Sequence, residues 1–226
     1  MLGLSMALFL KGMKMKLIIF DFDGTLADTR QLIVETMQQT IAELRLTPCT
    51  DEQCASMIGL PLKQAFTELI PMSDEMGERS VDTYRRIFNV NNAAYVIPTF
   101  PNVIETLHQL STKGYILTIA SSRSRKSLLE FVHTMQLEEI FPYILGADDV
   151  IHAKPHPEPV LRILEAFDCL PEEALVVGDM KYDIEMGRRA GTRTCGVTYG
   201  NGSPQELREA GADFMVDDFE KIFTLI

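Results

Sequence analysis

Short apolar, β-branched runs recur along this chain of 226 residues, and helical patterns separate most of them. The six runs cover residues 16–20, 115–120, 143–145, 174–177, 194–197 and 214–216. Each run is short and almost continuously apolar, as expected for strands that are buried on both faces of a parallel sheet. Strands that alternate with helices predict an α/β fold, with a doubly wound, Rossmann-like parallel sheet.

One long interval, residues 30–96, interrupts this alternation because it contains no convincing strand. Apolar residues at helical spacing occupy 33–44, and Thr50 is followed by the acidic pair typical of a helix start. Pro61 can open a further helix, and residues 73–88 have the pattern of another. Since long insertions after a strand are usually functional, we predict an all-helical cap that acts as a lid.

The predicted organisation is therefore a catalytic core of residues 14–29 and 97–226, with the cap inserted at 30–96. The first 13 residues include the apolar run MLGLSMALFL. This run lacks the features of a signal peptide and is too short to span a bilayer. We expect a disordered tail, or a start codon assigned too early. No later stretch predicts a membrane helix.

The charge balance limits the classes of partner. With 21 Lys and Arg against 32 Asp and Glu, the formal net charge is −11. Such a chain repels nucleic-acid backbones, and a site for an anionic substrate must supply its own cations. The four cysteines form no CxxC pair, so a zinc site is not expected. Scattered cysteines favour reduced thiols and a cytoplasmic location.

Two carboxylates follow the first predicted strand directly, at Asp21 and Asp23, and Gly24 then permits a sharp turn. Ligands of open α/β sheets bind beyond the carboxyl ends of the strands. Two other interpretations compete with a ligand site. A calcium loop of the EF-hand type fails because its further oxygen ligands are missing. A plain Asp-Gly turn would explain Asp23 but not Asp21.

Polar residues also follow three later strands. Ser121, Ser122 and Arg123 follow the second strand, and Lys154 follows the third. The fourth strand ends at Asp179, with Asp183 four residues later on one face of the next helix. Four strand ends therefore carry acids, hydroxyls, a lysine and further acids, an arrangement that is hard to attribute to chance.

The segments DFDGTLADT, IASSR, AKPHPE and VVGDMKYDIEMGRRAG resemble, in order, the four signature motifs of the haloacid dehalogenase (HAD) superfamily. The resemblance covers nearly the whole chain, and the insertion resembles the helical (C1) cap of that superfamily. The segment AKPHPE and the Gly-Leu-Pro turn at 59–61 are most similar to the phosphoglycolate-phosphatase-like branch. The motifs are specific for the superfamily but not for a substrate.

This resemblance implies roles for individual residues. Asp21 would be the nucleophile that forms an aspartyl-phosphate, and Asp23 the general acid and base. Lys154 would neutralise charge on Asp21 and on the phosphoryl group, to which Ser121 would donate a hydrogen bond. The presence of Asp23 favours phosphate esters over carbon–halogen or phosphonate substrates.

The resemblance also implies Mg²⁺, held by the carboxylates of Asp21 and Asp179 and the backbone carbonyl of Asp23. Asp183 would orient metal-bound water or Lys154. The candidate substrate-binding residues are Thr25, Ser122, Arg123, Gly59 and Lys63. Two of these assignments have alternatives, since Arg123 could be a solvent-facing cation at a helix start, and residues 59–63 could be a plain turn between helices.

The predicted function is a Mg²⁺-dependent phosphatase, a phosphoric monoester hydrolase, that acts on a small phosphorylated metabolite. One alternative is a sugar phosphomutase of the β-phosphoglucomutase type, which shares both aspartates. Another is a non-catalytic interaction module, because a fold alone does not establish activity. No nucleic-acid or membrane partner is expected, and the sequence leaves the oligomeric state open.

Overall fold

The computed structural model describes residues 15–94 and 97–226. Six parallel strands form one sheet in the order β3-β2-β1-β4-β5-β6. The strands are β1 (Leu17–Phe20), β2 (Ile116–Ala120), β3 (Tyr143–Leu145), β4 (Ala174–Gly178), β5 (Arg193–Val197) and β6 (Phe214–Val216). The predicted α/β fold is confirmed, and each of the six apolar runs forms a strand whose ends differ from prediction by at most one residue.

Nine α-helices connect or follow these strands in the described residues. Four precede β2: α1 (Arg30–Glu43), α2 (Asp51–Ala55), α3 (Leu62–Leu69) and α4 (Asp74–Ala94). The helix α5 (Val103–Thr112) also precedes β2. The other four helices follow β2: α6 (Arg125–Thr134), α7 (Glu158–Ala166), α8 (Lys181–Ala190) and α9 (Pro204–Glu209). The helices α5 to α9 alternate with the strands, as a doubly wound sheet requires.

The strand β1 lies at the centre of the sheet, between β2 and β4. Phe20 at its carboxyl end is in register with Ile119 on one side and Val177 on the other. Because all three strands run in the same direction, their carboxyl ends open onto one edge of the sheet. The residues that follow these strands therefore meet at that edge.

Successive residues of β1 face opposite sides of the sheet and enter two separate apolar clusters. Ile18 and Phe20 belong to the larger cluster, whereas Leu17 and Ile19 belong to the smaller one with Val160 and Val176. All four residues of β1 are completely buried. A strand with apolar residues on both faces is thereby fixed in the middle of the protein, and the acids that follow it are placed accurately.

The helices α1 to α4 pack on one another, with α1 against α4 and α3 against α4. Thr50 caps α2, since its hydroxyl accepts a hydrogen bond from the amide of Gln53. The helix α4 extends to Ala94, beyond the predicted end at residue 88. The apolar pattern ends near Phe88 because the last turns carry asparagines and an exposed Val90.

Two segments connect these helices to the sheet, and they pair with each other. The amide of Asp28 donates to the carbonyl of Pro98 at 2.9 Å, and the amide of Phe100 donates to the carbonyl of Leu26 at 3.2 Å. The chain therefore leaves and re-enters the core at one place. The predicted tail, residues 1–13, lies outside the described residues, as do the last two residues of the predicted cap. None of the described helices is both long enough and apolar enough to cross a bilayer.

Candidate active site

Three acids meet at the carboxyl edge of the sheet. Asp21 follows β1, Asp179 follows β4, and Asp183 lies in the first turn of α8. One carboxylate oxygen from each lies within 4.8 Å of the other two. Asp21 is 3% exposed and the other two are fully buried. Three acids this close together in the interior need a cation to offset their mutual repulsion.

Lys154 supplies one such cation. Its Nζ donates to Asp21 Oδ1 at 2.5 Å and to Asp183 Oδ1 at 2.6 Å, and its side chain is 2% exposed. Burial alone would lower the pKa of Lys154, but the two carboxylates outweigh burial and raise that pKa. The lysine therefore stays charged, and it fixes the orientation of the Asp21 carboxylate.

Asp179 is held from two other segments. Its Oδ1 accepts from the hydroxyl of Thr25 at 3.1 Å, and its Oδ2 accepts from the amide and the side chain of Asn201 at 2.7 and 3.1 Å. Gly24 makes this close approach possible, since a Cβ there would lie 2.2 Å from Asp179 Oδ2. Its φ of +87° is also one that glycine adopts most readily.

The acid cluster fits a divalent cation such as Mg²⁺. Burial, followed by the neighbouring carboxylate of Asp183, raises the pKa of Asp179 to about 7. Burial also raises the pKa of Asp21 well above its usual range, although Lys154 opposes the shift. Asp21 Oδ2 is buried and has no hydrogen-bond partner among the described residues. An unpaired buried carboxylate oxygen beside two further acids is the kind of hard donor that Mg²⁺ prefers.

Asp23 makes a different set of contacts. Its Oδ1 accepts from the hydroxyl of Thr29 at 2.7 Å and from Nη2 of Arg123, and its Oδ2 accepts from Nε of Arg123 at 3.1 Å. The side chains of Arg123 and Asp23 are 8% and 11% exposed, respectively. The interpretation of Arg123 as a solvent-facing cation is therefore wrong, because it forms a buried ion pair with an acid of the site.

A cavity of about 800 Å³ opens beside these acids, between the sheet edge and the helices that precede β2. The core contributes Asp21, Asp23 and Ser121 to its lining, and α4 contributes Tyr84 and Phe88. The hydroxyl of Ser121 accepts from the amide of Arg123 at 3.3 Å, so its proton remains available for another acceptor. The cavity is large enough for a small organic ligand whose anionic end meets Asp21.

A family model described as haloacid dehalogenase-like hydrolase matches residues 18–197. This range covers more than half of the chain and includes residues 18–20 of β1, all of β2 to β5, and the acids that follow β1 and β4. The chain belongs to the haloacid dehalogenase-like hydrolase family. The predicted superfamily and the predicted enzyme class are thereby confirmed.

Curated relatives of this HAD-like chain include the pyrophosphatase PpaX of Anoxybacillus flavithermus, which is 32% identical over 214 residues, 95% of this chain and 98% of the relative. Among solved structures, one of a haloacid dehalogenase-like hydrolase from Bacteroides fragilis has a TM-score of 0.88 at 29% identity, and covers 92% of this chain and 100% of its own. The structure of a predicted phosphoglycolate phosphatase from Haemophilus somnus 129PT has a TM-score of 0.81 at 25% identity. The match covers 93% of this chain and 97% of that structure's chain.

The remaining predicted site residues of this HAD-like chain fall into two groups. Ser122, Gly59 and Lys63 line the cavity, and the hydroxyl of Ser122 donates to the carbonyl of Gly59 at 2.6 Å. Lys63 is also paired with Asp74 and Glu78, at 2.6 and 2.8 Å. Thr25 does not line this cavity; it is fully buried, and its hydroxyl is bonded to Asp179.

Two contact residues were missed by the sequence reasoning. Asn201 lies in the loop after β5, so extending the strand-end argument to this fifth strand would have found it. Thr29 lies six residues after Asp23 and contacts its carboxylate because the segment between them turns back on itself. Thr29 is the last residue of the motif DFDGTLADT, which was the available signal for it.

Proposed function

We propose that this chain is a Mg²⁺-dependent phosphatase that transfers a phosphoryl group from a small metabolite to Asp21 and then to water. The observation that carries the proposal is Asp21 itself. One of its carboxylate oxygens is fixed by Lys154, and the other is buried beside two further acids, with no hydrogen-bond partner in the part of the chain that the structure describes. Asp21 also lines the cavity, so a ligand there can reach it.

In the first step, a carboxylate oxygen of Asp21 attacks phosphorus, and the bond between phosphorus and the ester oxygen breaks. Asp23 gives its proton to the departing oxygen, which leaves as an alcohol. In the second step, water attacks the phosphorus of the aspartyl-phosphate while Asp23 accepts a proton from that water. The bond from phosphorus to Asp21 breaks, so inorganic phosphate leaves and both acids return to their initial forms.

Mg²⁺ would be held by the carboxylates of Asp21 and Asp179 and the carbonyl of Asp23, and when bound it would neutralise charge on the phosphoryl oxygens. Lys154 adds a fixed positive charge, and Ser121 donates a hydrogen bond to the phosphoryl group. Asp183 orients Lys154 through the 2.6 Å contact between them. These groups provide the local attraction for an anion that a chain of net charge −11 otherwise lacks.

Residues 30–96 act in this proposal as the helical cap over a core of 14–29 and 97–226. The cap supplies Tyr84 and Phe88 to the cavity, so it covers the substrate and limits access of water. The cysteines at 49, 54, 169 and 195 are all free thiols, which supports a cytoplasmic location.

The names of the relatives suggest two substrates to test first. Pyrophosphate is suggested by the PpaX relatives, and phosphoglycolate by the Haemophilus somnus structure. Initial rates with a panel of these compounds, nucleotides and sugar phosphates would rank the substrates by kcat/KM. Isomerisation of a sugar phosphate faster than phosphate release would instead favour the phosphomutase.

The direct test of the nucleophile is Asp21→Asn, assayed by hydrolysis of an aryl phosphate with Mg²⁺ or with EDTA. We expect turnover to be lost, because an amide is a poor nucleophile and cannot regenerate the carboxylate. The matched control is Asp28→Asn, the same change at an exposed acid in the same segment. Retention of more than a few per cent of wild-type turnover by Asp21→Asn, or full wild-type activity in EDTA, would contradict the proposal.

A further inference from the structure

Arg123 holds Asp23 by both carboxylate oxygens. Nε bonds to Oδ2 at 3.1 Å, Nη2 bonds to Oδ1, and the hydroxyl of Thr29 adds a third donor on Oδ1 at 2.7 Å. A side-on arginine fork of this kind fits an ionised carboxylate and fixes both its position and its rotation. In the second step of the proposed mechanism Asp23 accepts a proton from water, so the position and rotation of its carboxylate decide whether it meets that water.

Arg123 is itself held by aromatic rings. Its guanidinium carbon lies 4.8 Å from the ring centre of Phe131, 4.9 Å from that of Phe88 and 5.9 Å from that of Phe22. Cation–π contacts from which water is excluded are stronger than those at exposed sites. Nη1 also donates to the hydroxyl of Ser127 at 3.2 Å. The arginine is thus a buried and largely immobile support, not a free donor for the substrate.

The three rings come from different parts of the protein. Phe22 follows β1 and Phe131 lies on α6, so both belong to the sheet-bearing part of the chain, whereas Phe88 lies on α4 among the helices before β2. Any displacement of α4 removes one side of the aromatic enclosure. The geometry of Asp23 therefore depends on where α4 lies.

We infer that Arg123 is a positioning residue for Asp23 in the hydrolysis of the aspartyl-phosphate, and that Phe88 makes this positioning depend on the helical cap. The inference rests on the proposed function and adds to it which step the arginine serves. In that step water attacks phosphorus, its proton moves to Asp23, and the bond from phosphorus to Asp21 breaks. Loss of the fork leaves Asp23 present but poorly placed to accept the proton.

The test separates the two half-reactions with 2,4-dinitrophenyl phosphate, whose acidic leaving group departs without protonation. In Arg123→Lys the charge remains but the fork is lost, so phosphoryl transfer continues and hydrolysis of the intermediate slows. We expect kcat to fall by roughly 10-fold to 10²-fold, below the full effect of deleting a general base. We expect kcat/KM to change by less than about 2-fold, so KM falls with kcat.

Two further readouts follow from the same prediction. Rapid mixing should show a burst of dinitrophenol of about one equivalent per active site. Acid quenching during turnover, followed by mass spectrometry, should show phosphorylated Asp21 accumulating in Arg123→Lys. Because the burst counts active molecules, a partly unfolded preparation lowers the burst amplitude but does not change the rate per site.

Phe88→Leu should produce the same pattern as Arg123→Lys with a smaller fall in kcat. Two matched controls should show neither accumulation nor a fall in kcat. Arg125→Lys makes the same chemical change two residues away, at an arginine that contacts Ile144 and Asp149 but not Asp23. Phe167→Leu removes a ring that packs on Tyr143 in the smaller apolar cluster, away from the rings that enclose Arg123.

The inference is overturned if Arg123→Lys lowers kcat and kcat/KM by the same factor without accumulation of phosphorylated protein. That outcome would mean that Arg123 acts on phosphoryl transfer or only on stability. It is distinguishable from failure of the proposed function, which would appear as an active Asp21→Asn or as wild-type activity that does not need Mg²⁺.

Discussion

The buried acid cluster makes the stability of the metal-free protein depend on pH in an unusual direction. Asp179 is fully buried, and its pKa is raised from 3.8 to about 7 by burial and by the carboxylate of Asp183. Between these two values the folded chain keeps a proton that the unfolded chain releases. The free energy of unfolding therefore falls as pH rises through this window, and it is constant above it with respect to this group.

The size of the effect follows from the shift. The pKa of Asp179 rises from 3.8 in the unfolded chain to about 7 in the folded chain. This shift lowers the free energy of unfolding by about 4 kcal/mol once the pH exceeds the pKa of the folded chain. Between about pH 5 and about pH 8 the expected part of this loss is about 3 kcal/mol. Asp21, whose pKa is also raised, adds to the loss. Mg²⁺ should reverse it by binding the folded state alone, with about 2.7 kcal/mol gained at 100 times its Kd.

Urea unfolding measures this directly, at several pH values, in EDTA and in saturating Mg²⁺. The control is Asp179→Asn, in which the amide oxygen can accept from Asn201 and the amide nitrogen can donate to the hydroxyl of Thr25. This variant should be more stable than the wild type in EDTA near pH 8, with a flatter pH profile, and should gain much less from Mg²⁺. Identical pH profiles for the two proteins in EDTA, or equal stabilisation of both by Mg²⁺, would refute the reasoning.

Three further substitutions have expected outcomes. Lys154→Met leaves two buried carboxylates without their cation, so we expect a loss of about 3 kcal/mol or more of unfolding free energy in urea and a large fall in kcat. Gly24→Ala places a Cβ 2.2 Å from Asp179 Oδ2 at a φ of +87°, so a Mg²⁺ titration should show affinity reduced by about 10-fold or more. Ser122→Ala removes the 2.6 Å bond to the carbonyl of Gly59, and thermal unfolding should show a loss of about 1 kcal/mol; an unchanged Tm would contradict that contact.

The sheet and the acid cluster could be predicted from the sequence because both follow from short-range rules. Apolar runs of three to six residues predicted the strands, and the carboxyl ends of parallel strands must open onto one edge. Asp21 follows Phe20, which is in register with Val177, and Asp179 lies two residues beyond Val177. Lys154 was expected near Asp21 from the family resemblance, and the structure brings the two within 2.5 Å.

The environment of Arg123 could not be predicted in the same way. The segment Ser-Ser-Arg-Ser-Arg has the composition of an exposed helix start, and nothing local indicates burial. The rings that enclose the guanidinium come from positions 22, 88 and 131, which only the tertiary fold brings together. Similarly, Lys63 was expected to bind substrate, but its charge is shared with Asp74 and Glu78 from the next helix.

The paired segments at Leu26–Asp28 and Pro98–Phe100 have a consequence for how such a protein can change over evolution. Because the two ends of the insertion are hydrogen-bonded neighbours, replacing everything between them with a different module requires no rearrangement of the sheet. Asp21, Lys154 and Asp179, to which we assign the reaction, all lie outside the inserted stretch. Selectivity for new compounds can thus be acquired by exchanging one stretch of chain, provided that the new stretch again supplies a ring against Arg123.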